Sequence, residues 1–286
     1  MRTKLDYHLE DPTWCPGCGI YAIFDALKSA VVSLEIEPEQ LVIVTGIGCH
    51  GRLNNYFKAY GFHGLHGRVL PVATGIKLSN PELHVVAVSG DGDAYSIGMG
   101  HFIHALRRNI SITYLVVDNR VYALTQGQTS PTSSLGFVSK SSPYGSKEYP
   151  LDGPQLALAA GGTFIARGFS GEPSHLAVLI EEGMSHNGFA LIDILSPCVT
   201  QNKVNTYGWF KKNIYHIEED SSFDPKDKKK AWKRASAEGK IPVGMIYQEE
   251  KYSFEELVLP DKEKPVVFSD LKLNKNKFEN ILKRFE

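Results

Sequence analysis

Residues 90–100, GDGDAYSIGMG, follow an apolar run and set two carboxylates, Asp91 and Asp93, among glycines. Such a loop can hold a dinucleotide, a nucleotide triphosphate or a metal. A dinucleotide fingerprint needs a third glycine to let the helix pack close to the sheet, and Tyr95 stands at that position. A P-loop needs Gly-Lys followed by Ser or Thr, which this stretch lacks. What remains is an oxygen-donor set: Asp91 between Gly90 and Gly92, and a second oxygen-rich stretch, VVDNRVY, about one β-α-β unit downstream. Mg²⁺ takes octahedral oxygen ligands and usually bridges a phosphate to one or two protein side chains. Asp91, the amide oxygen of Asn119 and the main-chain carbonyl of Val121 can supply three ligands, leaving positions for diphosphate oxygens and water.

Thiols form the second chemical set. Cys15 and Cys18 make a CxxC pair in DPTWCPGCGIYAIFDAL, Cys49 follows 31 positions later in GIGCHGR, and Cys198 another 149 later in LSPCVT. A Pro/Gly turn leading into a helix can aim both sulfurs of the pair at one metal. Alone, CxxC also serves as a redox pair or a zinc half-site. If all four thiolates meet, they complete one [4Fe-4S] cluster or one Zn²⁺ with none left over.

The elements that must position these groups are legible as alternation. From LVIVTGIG onward, short β-rich apolar runs (HVVAVSGDG, SITYLVVDN, FALIDILSPC) alternate with segments of helical pattern such as SIGMGHFIHALRRN and HLAVLIEEGMSHN. That pattern predicts an α/β fold, a parallel sheet covered by helices on both faces. Ligands in such sheets bind at the carboxyl ends of the strands, so the loops after VIVT, VVAVS and YLVV can converge on one crevice. Composition shifts near residue 210. Residues 1–210 read as the binding domain and 211–286 as a C-terminal extension, with a charged helical or solvated stretch (DPKDKKKAWKRASAEGK) and a strand followed by an acidic segment (IPVGMIYQEEKYSFEEL). The extension is expected to pack on the core, with a partner-binding arm that makes a subunit contact as the alternative.

The 286 residues carry a formal net charge of −1, which argues against a partner of polyanionic character such as nucleic acid or anionic membrane. The N-terminal stretch lacks the apolar core of a signal peptide, and no apolar run approaches the roughly 20 residues that span a bilayer. A cytoplasmic location is expected.

GDG, 26 residues and then Asn resembles the thiamine diphosphate motif. The wider chain resembles the β subunit of 2-oxoacid:ferredoxin oxidoreductases over roughly residues 13 to 210, through WCPGCG, GIGC, LHGR, ATGIKLSNP, GDGD, MGHFIHALRRN, VYALT, GQTSPT and PC. The resemblance implies that Cys15, Cys18, Cys49 and Cys198 ligate [4Fe-4S], while Asp91, Asn119 and Val121 hold Mg²⁺. It implies cofactor contacts from Ile47, Gly48, Cys49 and His50, from Leu65, His66, Gly67 and Arg68, from Gly90 to Asp93, and from Ala123 and Leu124. Gln126 departs from the family, which often has glycine or a basic residue there.

By that resemblance the chemistry is coenzyme A-dependent oxidative decarboxylation of a 2-oxoacid, or its reverse, with electrons passing through [4Fe-4S] to ferredoxin. Only one GDG-type domain fits in the chain, so the carboxylate that activates thiamine is expected from an α subunit. Arg52 can pair with the distal carboxylate of 2-oxoglutarate, or be a surface arginine. His66 is the preferred proton-transfer candidate, ahead of His50. His101 and His104, on the helix after GDGD, are expected to pack, and Tyr95 and Tyr122 are read as first-turn or packing residues. The rival readings are a zinc-stabilised binding module and a non-oxidative thiamine decarboxylase; pyruvate or a broad range of 2-oxoacids is the alternative to 2-oxoglutarate as substrate.

Overall fold

The computed structural model describes residues 2–236, 239–259, 265–268, 272 and 275–285. The stretches of the C-terminal extension at 237–238, 260–264, 269–271, 273–274 and 286 lie outside the described residues. Eight strands form one sheet: β1 Leu41–Thr45, β2 Tyr60–His63, β3 His84–Gly90, β4 Thr113–Asp118, β5 Phe164–Phe169, β6 Ala190–Leu195, β7 Ile214–His216 and β8 Ile241–Gln248. Their order is β2-β1-β3-β4-β6-β5-β8-β7, and every pairing is parallel except β5 with β8.

Alternation within each apolar run decides the two faces. Ile43, Val86, Val88, Leu115 and Val117 point to one side, where they meet the helices Ile20–Ser33 and Pro173–Ser185. Their neighbours Val42, Val44, Val85, Ala87, Tyr114 and Val116 point to the other, onto the helices Val69–Ser79 and Met99–Arg108. With both faces dry, the central strands need no polar alternation. Helix Ile20–Ser33 buries Ile23 and Leu27 completely. Each such side chain stabilises by about 1.5–3 kcal/mol, so Leu27→Asp would detach the helix that follows the CxxC turn.

Two strands had no clear apolar signature. β2 is exposed along its whole length, and β5 carries a buried arginine, Arg167, whose Nε donates to Asp193 at 3.0 Å and whose Nη2 donates to Asp152 at 2.6 Å. The sheet does not stop near residue 210. IPVGMIYQ is β8, which pairs antiparallel with β5, and Lys228–Ala235 within the charged stretch is helical. Among the described residues no helix is long and apolar enough to cross a membrane.

Candidate active site

The chain leaves β1 for β2 on one side of the sheet and places β3 on the other, so the loops after β1 and β3 part at a topological switch point. A cleft of about 380 Å³ opens there. Its wall is made by Ile47, Gly48, Cys49 and His50 after β1, Gly90 to Asp93 after β3, Asn119 and Val121 to Thr125 after β4, and His66.

Asp91 is 2 % exposed at this cleft. Burial pushes its carboxyl up to about 6, against the pull of two hydroxyls. Ser130 Oγ donates to Oδ2 at 2.5 Å, and Thr132 Oγ1 lies 2.6 Å from the same oxygen and 2.7 Å from Asp118 Oδ1. One hydroxyl proton cannot serve both carboxylates. Asp118 is likewise pushed up to about 6, by burial and then by Asp91, and Arg120 Nε stays 3.9 Å from it. Two buried acids sharing one donor are short of positive charge, and a divalent cation on Asp91 would relieve that deficit.

The neighbouring ligand candidates are fixed by local turns. Asn119 Oδ1 accepts from the Val121 amide at 3.1 Å, an Asx-turn that leaves a lone pair for a cation. The helix after β3 opens with a π turn, Asp93–Ile97, a local widening common at functional sites. Within it Asp93 Oδ1 accepts from the Gly67 amide at 2.6 Å, tying the LHGR loop to GDGD. Burial raises the Asp93 carboxyl, but His50 and the Gly67 amide outweigh it and the net shift is downward. The Gly90 amide lies 3.1 Å from His50 Nε2, holding the ring beside Asp93. His66 Nδ1 stands 2.8 Å from Asp93 Oδ1, but the geometry makes no hydrogen bond. Tyr122 donates to the Gly92 carbonyl at 3.1 Å; a Cβ on Gly92 would come within 2.2 Å of its ring, so only glycine fits there.

A second cavity, about 220 Å³, is lined by Cys15, Cys18, Cys49 and Cys198 together. The Cys18 amide donates to the Cys15 carbonyl at 2.9 Å, closing the CxxC turn, and Trp14 Nε1 donates to the Cys49 carbonyl at 2.8 Å, docking it. The Gln201 amide points at Cys198 Sγ at 3.4 Å. Burial pushes the Cys18 thiol up to about 11 and raises Cys49, and the neighbouring thiols add to both. Such a group of thiols around one cavity suits a soft metal centre that displaces their protons. Cys49, Asn119, Ala123 and Leu124 line both cavities.

Residues 46–194 match the thiamine pyrophosphate enzyme C-terminal TPP binding domain, and residues 198–262 match the C-terminal part of the pyruvate ferredoxin oxidoreductase beta subunit. The chain is 42 % identical over 267 residues to 2-oxoacid:ferredoxin oxidoreductase 2, subunit beta, of Aeropyrum pernix, covering 89 % of this chain and 86 % of that protein. The chain belongs to the 2-oxoacid:ferredoxin oxidoreductase β-subunit family. It is also 36 % identical to the 2-oxoglutarate synthase subunit KorB of Methanocaldococcus jannaschii, over 90 % of this chain and 96 % of that one. A solved 2-oxoglutarate:ferredoxin oxidoreductase from Magnetococcus marinus, with 2-oxoglutarate, coenzyme A and succinyl-CoA bound, superposes with a TM-score of 0.90 at 36 % identity, over 98 % of this chain and 96 % of that chain.

In this β subunit most of the expected site residues gather in the two cavities, and a few do not. Leu65 and Arg68 are exposed outside the cleft lining, and Gly67 reaches the site only through Asp93. Arg52 lines the thiol cavity, exposed, with Nη1 donating to Thr13 Oγ1 at 3.1 Å. Tyr95 is a packing residue whose hydroxyl donates to Asp193 at 2.9 Å, and His101 and His104 line neither cavity. Sequence reasoning passed over Ser130 and Thr132. They lie in GQTSPT, a stretch noted as a motif but given no chemical role, and only the fold carries their hydroxyls to Asp91.

Proposed function

We propose that the chain is the catalytic β subunit of a 2-oxoglutarate-oxidising complex, binding Mg²⁺ and thiamine diphosphate in the oxygen-lined cleft and [4Fe-4S] between the four cysteines. The observation that carries this reading is the wall shared by the two cavities, Cys49, Asn119, Ala123 and Leu124. When bound, these groups supply a carbanion and electron sink beside a one-electron acceptor. Asp91, Asn119 Oδ1 and the Val121 carbonyl hold the cation, and Ser130 and Thr132 orient Asp91. His66, at the mouth of the cleft, is the proton-transfer candidate. Arg52, exposed and positioned by Thr13, is the candidate for the distal carboxylate.

The thiol spacing supports iron-sulfur over zinc. Among the described residues no three cysteine sulfurs lie within 4.8 Å of one another. Tetrahedral zinc with bonds of about 2.3 Å needs sulfurs about 3.8 Å apart, whereas a cluster takes one sulfur per iron and spreads them. An α subunit supplies the remaining thiamine contacts, coenzyme A takes the acyl group, and ferredoxin takes the electrons. Anaerobic visible spectra of the chain co-expressed with its α partner, with coenzyme A present, test this. 2-Oxoglutarate is expected to bleach a brown chromophore and pyruvate to do so less. A colourless zinc protein would overturn the oxidoreductase reading; preferential bleaching by pyruvate would overturn the substrate.

A further inference from the structure

Away from both cavities, where the C-terminal segment meets the core, Glu172, His175 and His216 bring three ligand-type atoms within 4.8 Å of one another. Glu172 is the N-cap of helix Pro173–Ser185, and His175 is in its first turn. His216 ends β7, and Glu218 follows in the short turn Ile217–Glu219. His216 Nε2 lies 3.1 Å from Glu172 Oε2, and His175 Nε2 lies 3.4 Å from Glu218 Oε1, the two rings meeting edge to face at 5.1 Å.

We infer that this group is a divalent transition-metal site, of the Zn²⁺ class, that clips the C-terminal segment to the helix after β5. Nitrogen and oxygen ligands at about 2.0–2.1 Å from tetrahedral zinc stand about 3.3 Å apart, close to the 3.1 Å already present between His216 and Glu172. An ion-pair network alone leaves polar atoms unsatisfied. His175 Nδ1 and Glu172 Oε2 are both buried without a hydrogen-bond partner. An imidazole with one nitrogen on a carboxylate and the other bare is the arrangement that orients histidine towards a metal. Space has been kept for Glu218 as well: Gly244 on β8 has φ +124, and a Cβ there would fall 2.3 Å from Glu218 Oε1. The side chains of His175 and His216 are 25 % and 31 % exposed, so an ion can reach them from solvent. Two imidazoles and the Glu172 carboxylate, without thiol and with Glu218 behind His175, select a borderline cation over the hard ion proposed for the oxygen-lined cleft.

The test uses the assembled, iron-loaded complex, titrated with Co²⁺ and Zn²⁺ under anaerobic conditions. One equivalent of Co²⁺ per β chain should give visible d–d absorption with no thiolate-to-cobalt charge-transfer band, and Zn²⁺ should displace it. His216→Gln and Glu172→Gln should each weaken binding about tenfold or more while iron content stays unchanged. Zn²⁺ should also raise the thermal midpoint of the wild type and of neither variant. Absence of saturable uptake by the wild type, a thiolate band in the adduct, or unchanged affinity in whichever variant folds would overturn the site.

Discussion

The two cavities differ in how their ligands are prepared. In the oxygen-lined cleft Asp91 is locked by Ser130 and Thr132, and the burial of Asp91 and Asp118 is itself an electrostatic cost. Between the cysteines the backbone is held, by the Cys15–Cys18 turn and by Trp14 on Cys49, while burial raises the Cys18 and Cys49 thiols and main-chain amides reach the sulfurs of Cys18 and Cys198. On the proposed reading the hard site is rigid in advance, whereas the soft site would acquire charge only as it is loaded. The lesson is that one sheet can present both when buried hydroxyls serve one and main-chain amides the other.

That contrast can be broken most severely by removing a ligand. Asp91→Ala should abolish Mg²⁺-thiamine diphosphate binding, a loss beyond the roughly 100-fold typical of an outer partner, while iron content is unchanged. Calorimetry with thiamine diphosphate and iron analysis on one preparation check both halves. Cys198→Ser should do the reverse, removing the iron-sulfur absorption and sparing cofactor affinity; a variant with normal iron would remove Cys198 from the ligand set.

A smaller effect sharpens the claim of advance preparation. Thr132→Val should weaken Mg²⁺-thiamine diphosphate binding about 10- to 100-fold without touching iron. Unchanged affinity would mean that the hydroxyl does not position Asp91. Acidity gives a further handle. Asp91, raised to about 6 from an ordinary 3.8, binds its proton more tightly when folded, so the empty chain loses that contribution to stability as pH rises through about 6. A cation holds the ionised form, and thermal stabilisation by Mg²⁺ with thiamine diphosphate should therefore grow from about pH 5 to 7. Stabilisation independent of pH in that window would separate the metal from Asp91. The smallest change is expected at exposed Arg52. Arg52→Gln should lower kcat/KM for 2-oxoglutarate about tenfold and leave pyruvate nearly unaffected, the loss of one charged hydrogen-bonding pair.

Much of this could be read from the chain because apolar runs report strands buried on both faces, and β1, β3, β4 and β6 all declare themselves so. β5 escaped notice because Arg167 breaks its run, a charge tolerated only because Asp193 and Asp152 meet it across the fold. β2 is four residues long and carries Tyr60 and Phe62 on one face without burying either, too short a run to report a strand. At the site, Asp91 and Asn119 were visible through their spacing, since both sit at strand ends whose separation a β-α-β unit dictates. Ser130 and Thr132 were not, because hydroxyls beside proline in a loop look like turn residues until tertiary structure turns them inward. The pairing of β8 with β5 is invisible for the same reason.

The wall of Cys49, Asn119, Ala123 and Leu124 has an evolutionary consequence. Each residue faces both cavities, so an insertion after β1 or β4 that reshaped one would reshape the other. On the proposed reading the two cofactor sites are inherited as a single unit. A descendant could abandon electron transfer only by rebuilding the cleft that holds thiamine, and loop shuffling alone would not separate the two chemistries.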